Sequence, residues 1–204
     1  MTTRLALILA LIAPVGAAAG AAETAKPCCA EDTKLVAPIA RPPGRSVYQI
    51  DSTWTDDAGR QAKLSSLQGG PVVLAMFFTN CEFACPVTVG NMLRIQDALP
   101  PKSRAKARFV LVSFDSERDT PAALRLYRER MRLGAAWVLL HGQPDDVCEL
   151  AMVLGVKYAR DNRGQFAHSN LITVLNSAGE ISFQLAGLKS DVSAAAKAVV
   201  VAAR

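Results

Sequence analysis

Cys81 and Cys85 stand four residues apart in Thr79-Asn80-Cys81-Glu82-Phe83-Ala84-Cys85-Pro86, directly after the most hydrophobic run of the chain. Three intervening residues let both sulfurs converge on one point, either as a disulfide or around a soft metal ion, and the pair alone is compatible with both. The chain has only two histidines, and His168 lies in Gln165-Phe166-Ala167-His168-Ser169-Asn170. Two thiolates and one imidazole form a three-ligand set that suits Cu(I), and neighbouring oxygen donors would extend it to Cu(II). Zinc would want a fourth fixed ligand. Without the histidine, the cysteines would be a redox-active pair for thiol-disulfide exchange, with Cys81 or Cys85 as nucleophile. The other histidine, His141, follows Leu140 at a strand end without comparable partners and reads as structural.

The elements that must position these residues are legible from periodicity. Pro71 to Phe78 is apolar on both faces, as a central strand covered on both sides should be. Met92, Ile95 and Leu99 fall on one helical face, predicting a helix from about 86 to 99 that Pro100-Pro101 stops. With Pro86 as its first residue, Cys85 becomes the cap, facing unpaired backbone N–H groups that favour the thiolate. Phe109 to Phe114 is a second buried strand, and Thr120-Pro121 opens a helix with apolar face Leu124, Tyr127 and Met131. Arg125, Arg128 and Arg132 read as its solvated side. A short strand at Trp137 to Leu140 and a helix after Pro144 follow. Asp161 to Gly164 is a turn, Leu171–Leu175 and Ile181–Leu185 flank Asn176-Ser177-Ala178-Gly179 as a hairpin, and a helix follows Asp191. Upstream, alternation at Tyr48, Ile50 and Trp54 reads as a half-buried strand entering a hairpin at Asp56 to Gly59. The fold class is α/β, a mixed central sheet flanked by helices with an N-terminal strand hairpin, and a thioredoxin-like fold fits this order best. There the connection carrying His168 faces the cysteine loop, at the place where redox members hold a cis-proline.

With 204 residues, half of them hydrophobic, a fifth charged and 6% aromatic, the chain has material for one core rather than several. The net charge of +5 is scattered and not interleaved with aromatic residues, which argues against nucleic acid as a partner. Arg4 precedes an almost wholly apolar run from Leu5 to Ala22 that ends in small residues, so 1–22 reads as a signal peptide for export to the periplasm, or else an uncleaved anchor in the inner membrane. Residues 23–45 read as a proline-rich linker, and 46–204 as the folded domain. Cys28 and Cys29 lie in the linker without a lipidation box; being vicinal they close only a cramped ring, and a relay of metal, a bond to another chain or a plain linker pair without a role are all open to them. Cys148, beside an apolar helix face, reads as a small buried hydrophobe.

Over about residues 46–203 the chain resembles the SCO/SenC proteins, named for synthesis of cytochrome c oxidase. Three features carry the likeness: Gly70-Pro71-Val72-Val73-Leu74 leading into Cys81-Glu82-Phe83-Ala84-Cys85-Pro86, the segment Asp115-Ser116-Glu117-Arg118-Asp119-Thr120-Pro121, and His168 followed by Ser169. The resemblance implies a thioredoxin-like periplasmic metallochaperone that loads copper into the CuA centre of a terminal oxidase. Its copper ligands would be Cys81, Cys85 and His168. The partners it implies are a copper-enzyme subunit such as cytochrome c oxidase subunit II and other periplasmic copper chaperones. The rival activity is a thiol-disulfide oxidoreductase that reduces the target's copper-ligand cysteines. Asp115 and Asp119 would support the neighbouring loop, although a helix cap is the simpler reading of Asp119 and Thr120. The chain departs from the family at Glu82-Phe83, at Ser116 and at Ala167, where an acidic residue usually precedes the histidine. Loss of that carboxylate is expected to weaken the positioning of the ligand.

Overall fold

The computed structural model describes residues 46–162 and 164–204. The leader and linker expected at 1–45, with Cys28 and Cys29, lie outside the described residues. β3 (Val72–Phe77) is buried at every position, and β4 (Arg108–Ser113) at all but its first. They pair in parallel, from Val72 opposite Arg108 to Phe77 opposite Ser113. β5 (Trp137–His141) continues the parallel set beside β4. On the other flank β8 (Leu171–Leu175) runs antiparallel to β3, and β9 (Ile181–Ala186) antiparallel to β8. The N-terminal hairpin, β1 (Trp54–Asp56) and β2 (Gln61–Ala62), completes a seven-stranded mixed sheet of order β2-β1-β5-β4-β3-β8-β9. The arrangement is thioredoxin-like, as the order of apolar runs predicts.

Five α-helices accompany the sheet among the described residues: α1 (Ala84–Ala98), α2 (Pro101–Lys106), α3 (Pro121–Met131), α4 (Pro144–Leu154) and α5 (Ser193–Ala202). α3 starts as predicted, with the Thr120 hydroxyl accepting from Ala123 N–H. One local expectation fails, and one short helix goes unforeseen. Tyr48 belongs to a single 3-10 turn, Val47–Gln49, because the Ser46 hydroxyl accepts from Tyr48 N–H and curls the chain before a strand can begin. Pro100-Pro101 does end α1, but Pro101 also opens α2, where its missing N–H costs nothing.

The arginines of α3 are not simply solvated. Arg128 is half-buried and forks onto both carboxylate oxygens of Asp57, and it also donates to the carbonyls of Leu133, Gly134 and Trp137. Arg125 stays exposed and donates to the Asp57 carbonyl. This clamp fastens α3 to the β1–β2 turn. Arg128→Ala strands the Asp57 carboxylate, whose side chain is only 12% exposed, and is expected to cost about 2 kcal/mol of stability in chemical denaturation. A variant as stable as the parent would show that water replaces the clamp.

Candidate metal centre

β3 delivers the chain to the site as rigid backbone, because it is paired on both edges and buried on both faces. Phe78 follows, then the loop to α1. Thr79 is held from three directions: its N–H and hydroxyl donate to the Asp119 carboxylate, and its carbonyl accepts from Arg130 Nη2. Cys81 N–H then donates to the Phe78 carbonyl. The loop is therefore fastened just ahead of its first cysteine.

α1 begins at Ala84, two residues earlier than the proline predicted, so Cys85 lies inside the first turn and Phe83 is the cap residue. The consequence for the two sulfurs reverses the expectation. Cys81 Sγ accepts the Cys85 backbone N–H at 3.2 Å, so Cys81 takes the place at the helix start. Cys85 is 1% exposed, and burial pushes its thiol well above the ordinary range, against a backbone hydrogen bond at Phe78 that favours the anion. Desolvation outweighs the one backbone hydrogen bond that favours the thiolate.

His168 arrives on a small separate hairpin, β6 (Tyr158–Arg160) paired with β7 (Phe166–His168), where a loop was expected. The Asp161 carboxylate accepts Gln165 N–H across the turn, and Ser169 closes the base through its N–H to Lys157 carbonyl and its hydroxyl from Lys157 N–H. Alternation along β7 puts Phe166 and His168 on one face. Ala167 is exposed between them, so a side chain at 167 stands on the opposite face of the strand from His168. The imidazole packs edge-on to Phe78 at 6.0 Å and against Phe114 at 5.1 Å, while Tyr158 stacks on Phe114 at 5.1 Å. Burial lowers the histidine pKa and so favours the neutral, ligand-competent ring further into acid, against the Ser169 carbonyl, whose hydrogen bond raises it. That carbonyl lies 3.2 Å from Nδ1. A proton there leaves the Nε2 lone pair free, and Nε2 points at Cys85 Sγ from 3.9 Å.

The sulfurs of Cys81 and Cys85 and a nitrogen of His168 all lie within 4.8 Å of one another, and they are the one such group of three among the described residues. Ligands at about 2.3 Å for sulfur and 2.0 Å for nitrogen around a trigonal centre sit about 3.8 Å apart, so the set fits one soft ion with little movement. Cys81 lines two clefts, one of about 510 Å³ with His168 and Phe83, the other of about 530 Å³ with Thr79 and Arg130. Cys85 lines neither.

A family model described as SCO1/SenC matches residues 41–203. The chain belongs to the SCO1/SenC family. A Stutzerimonas stutzeri protein named for copper binding is 28% identical over 155 residues, 74% of each chain. Among solved structures, ScoI of Bradyrhizobium japonicum with copper bound superposes with a TM-score of 0.59 at 24% identity, covering 74% of this chain and 96% of that one. ScoI of Arabidopsis thaliana with copper bound gives 0.64 at 21%, covering 74% and 94%.

Against this SCO1/SenC protein's sequence the site both confirms and corrects. The three residues expected to converge do so, and Cys81 and Cys85 are free. His141 stays apart at the end of β5, its Nδ1 buried without a hydrogen-bond partner among the described residues. Cys148 is not a buried thiol; it is half-buried and disulfide-bonded. Asp119 is not a helix cap, since its carboxylate faces Thr79 and Ser113. Sequence reasoning missed the aromatic wall of Phe78, Phe114, Tyr158 and Phe166. Its one advance signal is that the first two fall at the ends of the two most apolar strands. Among the described residues no helix is long and apolar enough to cross a membrane.

Proposed function

We propose that this SCO1/SenC protein is an exported, copper-binding metallochaperone that carries copper on Cys81, Cys85 and His168 and delivers it to the CuA centre of cytochrome c oxidase, through subunit II, or to a similar copper enzyme. The observation that carries this reading is the convergence of two free sulfurs and an imidazole nitrogen within 4.8 Å. The copper named for the Stutzerimonas relative and held by the two ScoI structures supports it. A SCO1/SenC lipoprotein of Bacillus anthracis with the same fold supports a place outside the cytoplasm.

The ligands divide the labour of delivery. Cys85 is buried, whereas Cys81 is half-buried and borders two clefts, one of them shared with His168. A partner's thiolate or imidazole can therefore reach the copper on the Cys81 side and exchange ligands stepwise. Phe83, 73% exposed, stands beside that entrance.

A second reading has its own observation, since Cys81 and Cys85 are free and close enough to pair. As a reductant the dithiol would give two electrons to a partner's disulfide and become a disulfide itself, through a mixed disulfide at Cys81, the accessible sulfur. The deciding experiment is a titration of the reduced protein with Cu(I) and with Cu(II), followed by spectroscopy of the Cu(II) form. One copper per chain, with sulfur-to-copper charge transfer, is expected. Protein that remains colourless and metal-free supports the reductase reading instead.

A further inference from the structure

The ligands come from two separate pieces of chain, the loop after β3 and the β6–β7 hairpin, and one short segment fastens to both. Residues 115–120 form a turn closed on itself: Asp115 N–H donates to Ser113 Oγ, Asp119 N–H to the Asp115 carbonyl and Thr120 N–H to the Arg118 carbonyl. From this turn Asp119 reaches the cysteine loop at Thr79. Arg118 reaches the other way. Its Nε is paired with the Asp115 carboxylate, which is 1% exposed, while its Nη2 donates to the carbonyl of Gly164 at the hairpin turn. The guanidinium also sits 5.9 Å from the centre of the Phe166 ring, two residues before His168 on the same face of β7.

Gly164 is shaped for this contact. Its φ of +73° is one that side chains resist, and an added Cβ would come within 3.3 Å of Arg118 Nη1. Glu117 adds a looser tie to Arg160, both partners being well exposed. Among the described residues the hairpin shares no strand pairing with the main sheet, so these ties and its aromatic face hold it in position.

We propose that Arg118 is a positioning residue for the imidazole of His168: anchored on buried Asp115, it latches the β6–β7 hairpin through Gly164 so that Nε2 is set facing Cys85 before copper arrives. The proposal rests on the ligand reading above. A ligand fixed in advance loses little freedom on binding, so the latch raises affinity without touching the metal.

The test uses the full chain and avoids stranding a buried charge by pairing R118M with D115N. Cu(II) affinity is measured by competition with a chelator for the parent, R118M/D115N, H168A and the triple variant, with pulsed EPR of each Cu(II) form. R118M/D115N is expected to bind about 10–100-fold more weakly and to show weakened imidazole-nitrogen couplings. In the H168A background the same pair should shift affinity by no more than about twofold, because the group it positions is gone. R118K keeps the charge beside Asp115 but offers no second nitrogen for Gly164, and is expected to resemble R118M/D115N. Equal losses in both backgrounds, or parental affinity and couplings in R118K, overturn the latch. A parent that binds copper without nitrogen coupling removes the ligand reading itself, and the latch with it.

Discussion

His168→Ala is expected to lower copper affinity by more than about 100-fold, above the range seen when only an outer partner of a metal ligand is lost, because on the proposed assignment it deletes a direct ligand. The two sulfurs that remain are joined to the rest of the protein through the Thr79–Cys85 loop and α1, neither of which rests on the histidine. Thiol-disulfide exchange by the cysteine pair should therefore survive in the same variant. Measured together, copper competition and reduction of a model disulfide separate the two activities on one protein. Unchanged copper affinity would refute the ligand assignment outright. Loss of both activities would mean that the ring acts chiefly as packing: it fills a place against Phe78 and Phe114, and its removal would then loosen the end of β3.

Why the sequence reveals some of this and hides the rest follows from the range of the interactions involved. β3 and β4 announce themselves because full burial on both faces demands an unbroken apolar run, and nothing but the run is needed to see it. The cysteine pair and His168 are visible as types, and the sheet order brings their segments together. The β6–β7 hairpin is hidden because each strand has only three residues, too few for alternation to register, and because its pairing depends on Ser169 and Asp161 side chains. Cys85 is misjudged for a related reason. A proline after a cysteine locates a helix start to within about two residues, but a shift of that size decides whether a sulfur caps the helix or is carried into the core. Local pattern sees the helix end and does not see the burial that raises the thiol pKa.

Asp119 shows the same limit with a larger energetic stake. It is fully buried, and its carboxylate accepts from Thr79 N–H, Thr79 Oγ1 and Ser113 Oγ. Asp119→Ala leaves those donors without an acceptor and is expected to cost about 3 kcal/mol. It also releases the loop that places Cys81. Asp119→Asn keeps the shape and removes the charge, which isolates the electrostatic part. Burial raises the Asp119 pKa above its ordinary value near 3.8, more than the three donors lower it. The folded state then holds this proton more tightly than the unfolded state, so the contribution of Asp119 to stability is greatest below the ordinary value and declines as pH rises towards the folded value. Asp51, Asp56 and Asp191, whose pKa values are lowered, act in the opposite sense, but they are present in both proteins and cancel in the difference. The stability advantage of the parent over Asp119→Asn should therefore shrink as pH rises through that window and level off above it, in denaturation curves taken at successive pH values. An advantage that grows with pH would mean that the three donors outweigh burial, and that the loop is held by a carboxylate preferring its charge.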